Sequence, residues 1–198
     1  CSSQMADNGE MAPAPVIAAL EAAARGEPHP DDLHPDTARS GKAMTPMQSA
    51  FDVQHYTLTL KVMPETRSID GRVDVRFDAL EALDTVQLDL DPRLAIKEVT
   101  LGDTALSVRR EAGSFFVSLP STLAAGASAT ISVAYGGKPH VALAPPWFGG
   151  FVWSEVDGTP WFATAVQGDG CDLWWPCKDN FADKPDDGID LAISAPRG

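Results

Sequence analysis

The sequence predicts an all-β domain, an antiparallel saddle-shaped sheet or β-sandwich, behind an irregular N-terminal arm that holds one short helix. Three observations carry that prediction. From Phe51 onward apolar and polar residues alternate with period two, the pattern of strands with one buried face. Short runs of this kind recur at close spacing, broken by Gly, Pro and Asp turns. Beyond residue 50 no stretch carries the three-to-four-residue periodicity of an amphipathic helix.

Residues 1–50 differ in composition. They are rich in Ala, Pro, Asp, Ser and Met and poor in β-branched residues, so an arm without a core of its own, partly disordered, is expected. One helix is predicted inside it, in PAPVIAALEAAARGE. Pro15 suits a first turn, Ala and Leu favour the helix, Gly26 ends it, and Val16, Ile17, Leu20 and Ala24 share one face. His29 and His34 also lie in the arm, but nothing near them completes a metal site, and a solvated linker is the reading.

Residues 51–198 form the expected β-domain. In the first strand Tyr56, Leu58, Leu60 and Val62 point inward, with Val53, His55, Thr57, Thr59 and Lys61 on the other face. Pro64 and Glu65 make a hairpin turn into RSIDGRVDVRF, where Val73, Val75 and Phe77 face in and Arg72, Asp74 and Arg76 face out. Further strands are read at DTVQLDLDP, AIKEVTL, TALSVRR, SFFVSLP, SATISVAYG, GGFVWSEV, TPWFATAV and GIDLAISAP.

With 198 residues and 44% hydrophobic content, the chain suffices for one core. Its net charge of −13 argues against nucleic acid and anionic membrane surfaces as partners, since both call for clustered Lys and Arg. No apolar run is long enough for a transmembrane helix. Three cysteines, Cys1, Cys171 and Cys177, make no disulfide framework. The opening Cys-Ser-Ser before a loose polar stretch resembles a mature bacterial lipoprotein with a lipid anchor at Cys1, which would place the protein in the periplasm or outer membrane. The alternative is a chain that simply starts at that residue. Cys171 and Cys177 could pair in such a compartment, but buried free thiols are the expected state.

The densest stretch is VQGDGCDLWWPCKDNFADKP, from Val166 to Pro185. Glycines flank Asp169, Pro176 fixes the backbone after Trp174 and Trp175, and an Asp-rich tail follows, so a shaped, irregular strap with an aromatic plug is predicted. Asp179, Asp183, Asp186 and Asp187 do not have calcium-loop spacing and read as a solvated acidic turn, paired at the surface with Lys178 and Lys184.

Taken together, FDVQHYTLTLKV, the Ile69–Phe77 pattern IDGRVDVRF, QLDLD, VAYGG and the strap with its Pro-Cys-x-Asp core at Pro176–Asp179 resemble the N-terminal domain of the zinc aminopeptidases of the aminopeptidase N and leukotriene hydrolase family. The resemblance runs from about Phe51 to the C-terminus. It implies a saddle-shaped β-domain beside a thermolysin-like catalytic domain, with a peptide bearing a free N-terminus as substrate. It also implies that Gln167, nine positions before Pro176, accepts hydrogen bonds from the substrate α-ammonium, an amide oxygen doing so without burying another full charge. Asp169 would reinforce it as a negative neighbour. Without the resemblance, Gln167 reads as a strand end and Asp169 as a turn residue.

The family's zinc requires a His-Glu-x-x-His helix and a further Glu. This sequence has four histidines, His29, His34, His55 and His140, in no such motif, and it lacks the family's Gly-x-Met-Glu-Asn strand. No cofactor is expected in this chain, which is read as inactive alone, with zinc in an absent C-terminal catalytic domain. The family's β-domain also carries several strands beyond the strap, whereas one follows it here, at Ile189 to Ala195. A C-terminally truncated sheet with an unpaired edge is therefore expected. The alternative reading is a stand-alone β-sandwich that binds a glycan or peptide on a platform of Trp147, Phe148, Phe151, Trp153 and Trp161.

Overall fold

The computed structural model of the chain describes residues 40–142, 145, 149–166 and 169–196. One helical turn, α1 (Pro46–Ser49), precedes eleven strands: β1 (Phe51–Met63), β2 (Ser68–Ala79), β3 (Leu83–Asp89), β4 (Leu94–Leu101), β5 (Thr104–Ala105), β6 (Val108–Glu111), β7 (Ser114–Leu123), β8 (Ser128–Gly137), β9 (Gly150–Val156), β10 (Thr159–Ala165) and β11 (Ile189–Ser194). They form a six-stranded sheet in the order β11-β1-β2-β8-β4-β5, a three-stranded sheet β3-β7-β6 and the hairpin β9-β10. The all-β prediction holds. The helix predicted in the arm lies outside the described residues.

The inward sides of the two larger sheets meet in one apolar cluster. Leu58, Leu60, Val73, Val75, Phe77, Ile131 and Val133 come from the first, and Val86, Leu88, Phe115 and Val117 from the second. Val73, Val75 and Phe77 face in as the period-two pattern dictates. Val53 does not follow its predicted side: it is buried, on the same side as Tyr56. The cause is a bulge, since the register with β2 slips between Val53 and His55. The extra residue, Gln54, turns the alternation over, so Phe51 and Val53 enter the core ahead of the break and Tyr56 after it.

Turn chemistry fixes the hairpins. A 3-10 turn at Pro64–Thr66 closes β1–β2, with Arg67 in the left-handed region. Asp157 and Gly158, both at positive φ, close β9–β10 as an Asp-Gly turn. Gly71 on β2 has a packing role: a Cβ there would stand 2.5 Å from the Tyr135 ring. That glycine gives Tyr135 of β8 its place in the core.

The strand after the strap corrects one expectation. β11 pairs with β1 in parallel, not antiparallel. It lies at the sheet edge with all six residues exposed, Ile189, Leu191 and Ile193 at 46%, 50% and 51%. Residues 40–50, which composition groups with the arm, are stitched to the domain. Thr45 caps α1 through a capping box with Gln48, and its hydroxyl donates to Gln87 Oε1 at 2.6 Å.

Candidate functional site: the strap and its cleft

Local geometry turns the strap into a ledge. Gly170, at φ +91°, leads into a 3-10 turn at Cys171–Leu173. A Cβ on Gly170 would fall 2.3 Å from Asp179 Oδ1, so the close return of the chain requires glycine. The Cys171 carbonyl accepts from the amides of Trp174 and Trp175, both at 3.1 Å. The Trp175 ring is buried edge-on against Tyr56, centroids 4.6 Å apart, which makes it the plug that the sequence predicts.

Four contacts fix the ledge to the sheets. Tyr135 Oη donates to the Trp174 carbonyl at 2.9 Å. Cys177 pairs both ways with Asp89 at the end of β3, at 2.7 and 3.1 Å. The Lys178 amide donates to Tyr56 Oη at 3.1 Å, and its Nζ to the Phe51 carbonyl at 2.6 Å. Two sequence readings are corrected here. Lys178 is no surface cation: it is buried in an ion pair with Asp183 and sits 4.5 Å above the Phe51 ring. Asp183 is accordingly no member of a solvated turn, because its Oδ1 also accepts the Val53 amide at 3.3 Å. The folding-back of Asp183 under β1 was invisible in the spacing of the acids.

The thiols are corrected too. Cys171 and Cys177 form a disulfide with Cα atoms 6.4 Å apart. It closes the short loop that contains Trp174 and Trp175, and the 3-10 turn brings the two sulfurs together.

Beneath the ledge Asp179, read from the sequence as part of a solvated acidic turn, is instead partly buried beside Asp89 and Asp172, which sequence reasoning did not single out. Asp89 accepts from Ser114 Oγ at 2.7 Å, Gln48 Nε2 at 2.8 Å and the Asp179 amide at 3.2 Å. Asp179 accepts from Ser40 Oγ at 2.7 Å. Asp172 is 1% exposed, and its Oδ1 has no hydrogen-bond partner. Burial, before all else, holds all three carboxyls above the usual range; for Asp172 the rise is large, and the charge of Asp179 adds to it. The only signal in the sequence was the alternation of QLDLD, which puts Gln87 and Asp89 on the side away from Leu88 without showing that the strap covers that side.

A cleft of about 420 Å³ opens along the strap, lined by Tyr56, Val166, Trp174, Trp175, Phe181 and Ile189 among others. Gln167 lies outside the described residues, although Val166 before it lines the cleft. Asp169 is buried, and its Oδ2 accepts the Gly149 amide at 2.6 Å, which ties the strap to the start of β9. Of the aromatic platform, Trp147 and Phe148 lie outside the described residues. Phe151 is buried with Trp153 stacked on it at 5.2 Å, and Trp161 is 49% exposed. Phe151 and Trp153 pack at the edge of the core, while Trp161 is exposed.

Among the described residues no arrangement fits a peptidase zinc. His55 sits on β1 beside Asp190, 3.6 Å away, and His140 is buried in the loop after β8. Among the described residues the single group of three potential metal ligands is Cys171, Cys177 and Asp179, two of them joined to each other.

The architecture has close counterparts among solved structures. The M1 zinc metallopeptidase from Deinococcus radiodurans matches with a TM-score of 0.56 and 21% identity, over 80% of this chain and 34% of its own. A mutant of that protein bound to a Tyr-Ser-Ala substrate matches at 0.55 and 22%, over 74% and 33%. The chain has the fold of one part of an M1 zinc metallopeptidase. Native yeast LTA4 hydrolase shares it, with a TM-score of 0.60 and 20% identity over 76% of this chain and 24% of the hydrolase. The chain thus spans about a third or less of the proteins that it matches. No family model matches the sequence, and no curated protein does.

Proposed function

We propose that the chain is the non-catalytic β-domain of a zinc metallo-aminopeptidase, which removes N-terminal residues from peptides. The observation that carries the reading is the strap. It is cross-linked, hydrogen-bonded to β1, β3 and β8, and runs along a cleft in a fold shared with M1 zinc metallopeptidases. A site that orients a substrate needs such rigid support. In this reading Gln167 offers its amide oxygen to the substrate α-ammonium, and Asp169 adds a negative field behind it. Zinc, its ligands and the water-activating Glu belong to a catalytic domain of the same polypeptide. The disulfide also favours an oxidising compartment, in keeping with a lipid-anchored periplasmic protein.

The test uses the intact gene product. It is expected to purify with one zinc, to cleave an aminoacyl anilide, and to leave the N-acetylated anilide untouched. Absence of zinc together with absence of cleavage overturns the reading.

A further inference from the structure

The disulfide, Asp179 and Asp172 together have a chemistry that peptide recognition does not use. Cys171 Sγ lies 3.6 Å from Asp179 Oδ1, and the two sulfurs and a carboxylate oxygen of Asp179 all fall within 4.8 Å of one another. A tetrahedral Zn²⁺ with bonds of about 2.0–2.3 Å keeps its ligand atoms about 3.3–3.8 Å apart, inside that limit. Hydrogen bonds hold the three residues in addition to the S–S bond. Cys171 is held through its carbonyl by Trp174 and Trp175, Cys177 by its double pairing with Asp89, and Asp179 by Ser40 and by its amide bond to Asp89.

A second observation points to a cation. Asp172, next to Cys171 on the same turn, buries an oxygen that accepts no hydrogen bond. A buried carboxyl oxygen without a hydrogen-bond partner is costly, and a nearby bound cation relieves that cost. Two thiolates beside a carboxylate form a borderline-soft donor set suited to Zn²⁺.

We propose that reduction of the Cys171–Cys177 disulfide creates a zinc site whose ligands are Cys171, Cys177 and Asp179. A dithiol reductant supplies two electrons and two protons. The Sγ–Sγ bond breaks to two thiols, and the reductant closes to its own disulfide. Zn²⁺ then replaces the two thiol protons, which pass to solvent. The strap is thus locked by a covalent bond in its oxidised form and by a metal in its reduced form.

The experiment uses the full chain carrying Cys1→Ser, so that only the strap cysteines react. The protein is reduced with a phosphine, which leaves as its oxide, and is desalted without oxygen. Cd²⁺ is then titrated as a spectroscopic probe and Zn²⁺ against a chromophoric chelator. One Cd²⁺ per chain with a thiolate charge-transfer band is expected for the reduced protein, and none for the oxidised protein. Asp179→Asn weakens Zn²⁺ at least about tenfold. Ser40→Ala removes the hydrogen bond to Asp179 but keeps the ligand, so it weakens Zn²⁺ less than Asp179→Asn does and separates ligand loss from loosening of the strap. No metal on the reduced protein, equal binding in both redox forms, or affinity unchanged by Asp179→Asn overturns the assignment.

Discussion

Lys178 and Asp183 form an ion pair in which the two side chains are only 2% and 3% exposed. The pair is fully furnished: Nζ also reaches the Phe51 carbonyl, and Oδ1 takes the Val53 amide. It joins the strap to the first strand just before the bulge that redirects β1. Breaking one partner strands the other, so Lys178→Met is expected to cost about 3–5 kcal/mol. The double variant Lys178→Met/Asp183→Leu recovers much of that loss. Urea unfolding of the three proteins checks it, and a single variant as stable as the parent contradicts it.

Tyr135 and Gly71 make a second linked pair. Tyr135→Phe removes the bond to the Trp174 carbonyl and costs about 1 kcal/mol. Gly71→Ala drives a methyl into the same ring and costs about 1–3 kcal/mol. The double variant gains no rescue, because the ring carbons that collide are retained in Phe. Near-ultraviolet circular dichroism and thermal unfolding read both effects.

Acidity acts through Asp172. Burial holds its carboxyl far above the usual range, so the folded state binds its proton more tightly than the unfolded state does. Its contribution to stability is complete below the unfolded value, about 3.9, and is lost as pH rises through the folded value. Asp172→Asn removes that loss. With the disulfide intact, the variant is expected to exceed the parent in urea midpoint at neutral pH, and the advantage shrinks towards acid. An advantage that grows on acidification contradicts the assignment.

The disulfide is expected to stabilise the fold modestly, because it closes a short loop. Replacing both cysteines by serine costs about 2 kcal/mol in the chain-entropy account. Denaturant unfolding of the double variant beside the oxidised parent measures this.

Where one side of a strand faced the core, the fold was legible. The alternation at Arg72–Phe77 dictated its burial, and Trp175 beside Pro176 read correctly as a plug. Reading failed where tertiary contacts override local pattern. The bulge at Gln54 reversed the side of Val53, and no residue there announces it. Asp183 and Lys178 look like surface charges because charge runs usually are, yet the return of the strap beneath β1 buries them together. The disulfide depended on a 3-10 turn that two glycines and a proline permit but do not specify. Asp172 gave no signal, since its environment is built from β3 and the strap, far apart in sequence.

The central claim is that Gln167 anchors the substrate amine. The most direct measurement is kcat/KM for an aminoacyl anilide with the intact gene product and its Gln167→Ala variant, with zinc content and unfolding midpoint recorded for both. A hydrogen bond to a charged group contributes about 1.5–3 kcal/mol, so a fall of about 10- to 100-fold is predicted, with zinc and stability unchanged. A variant as active as the parent contradicts the account.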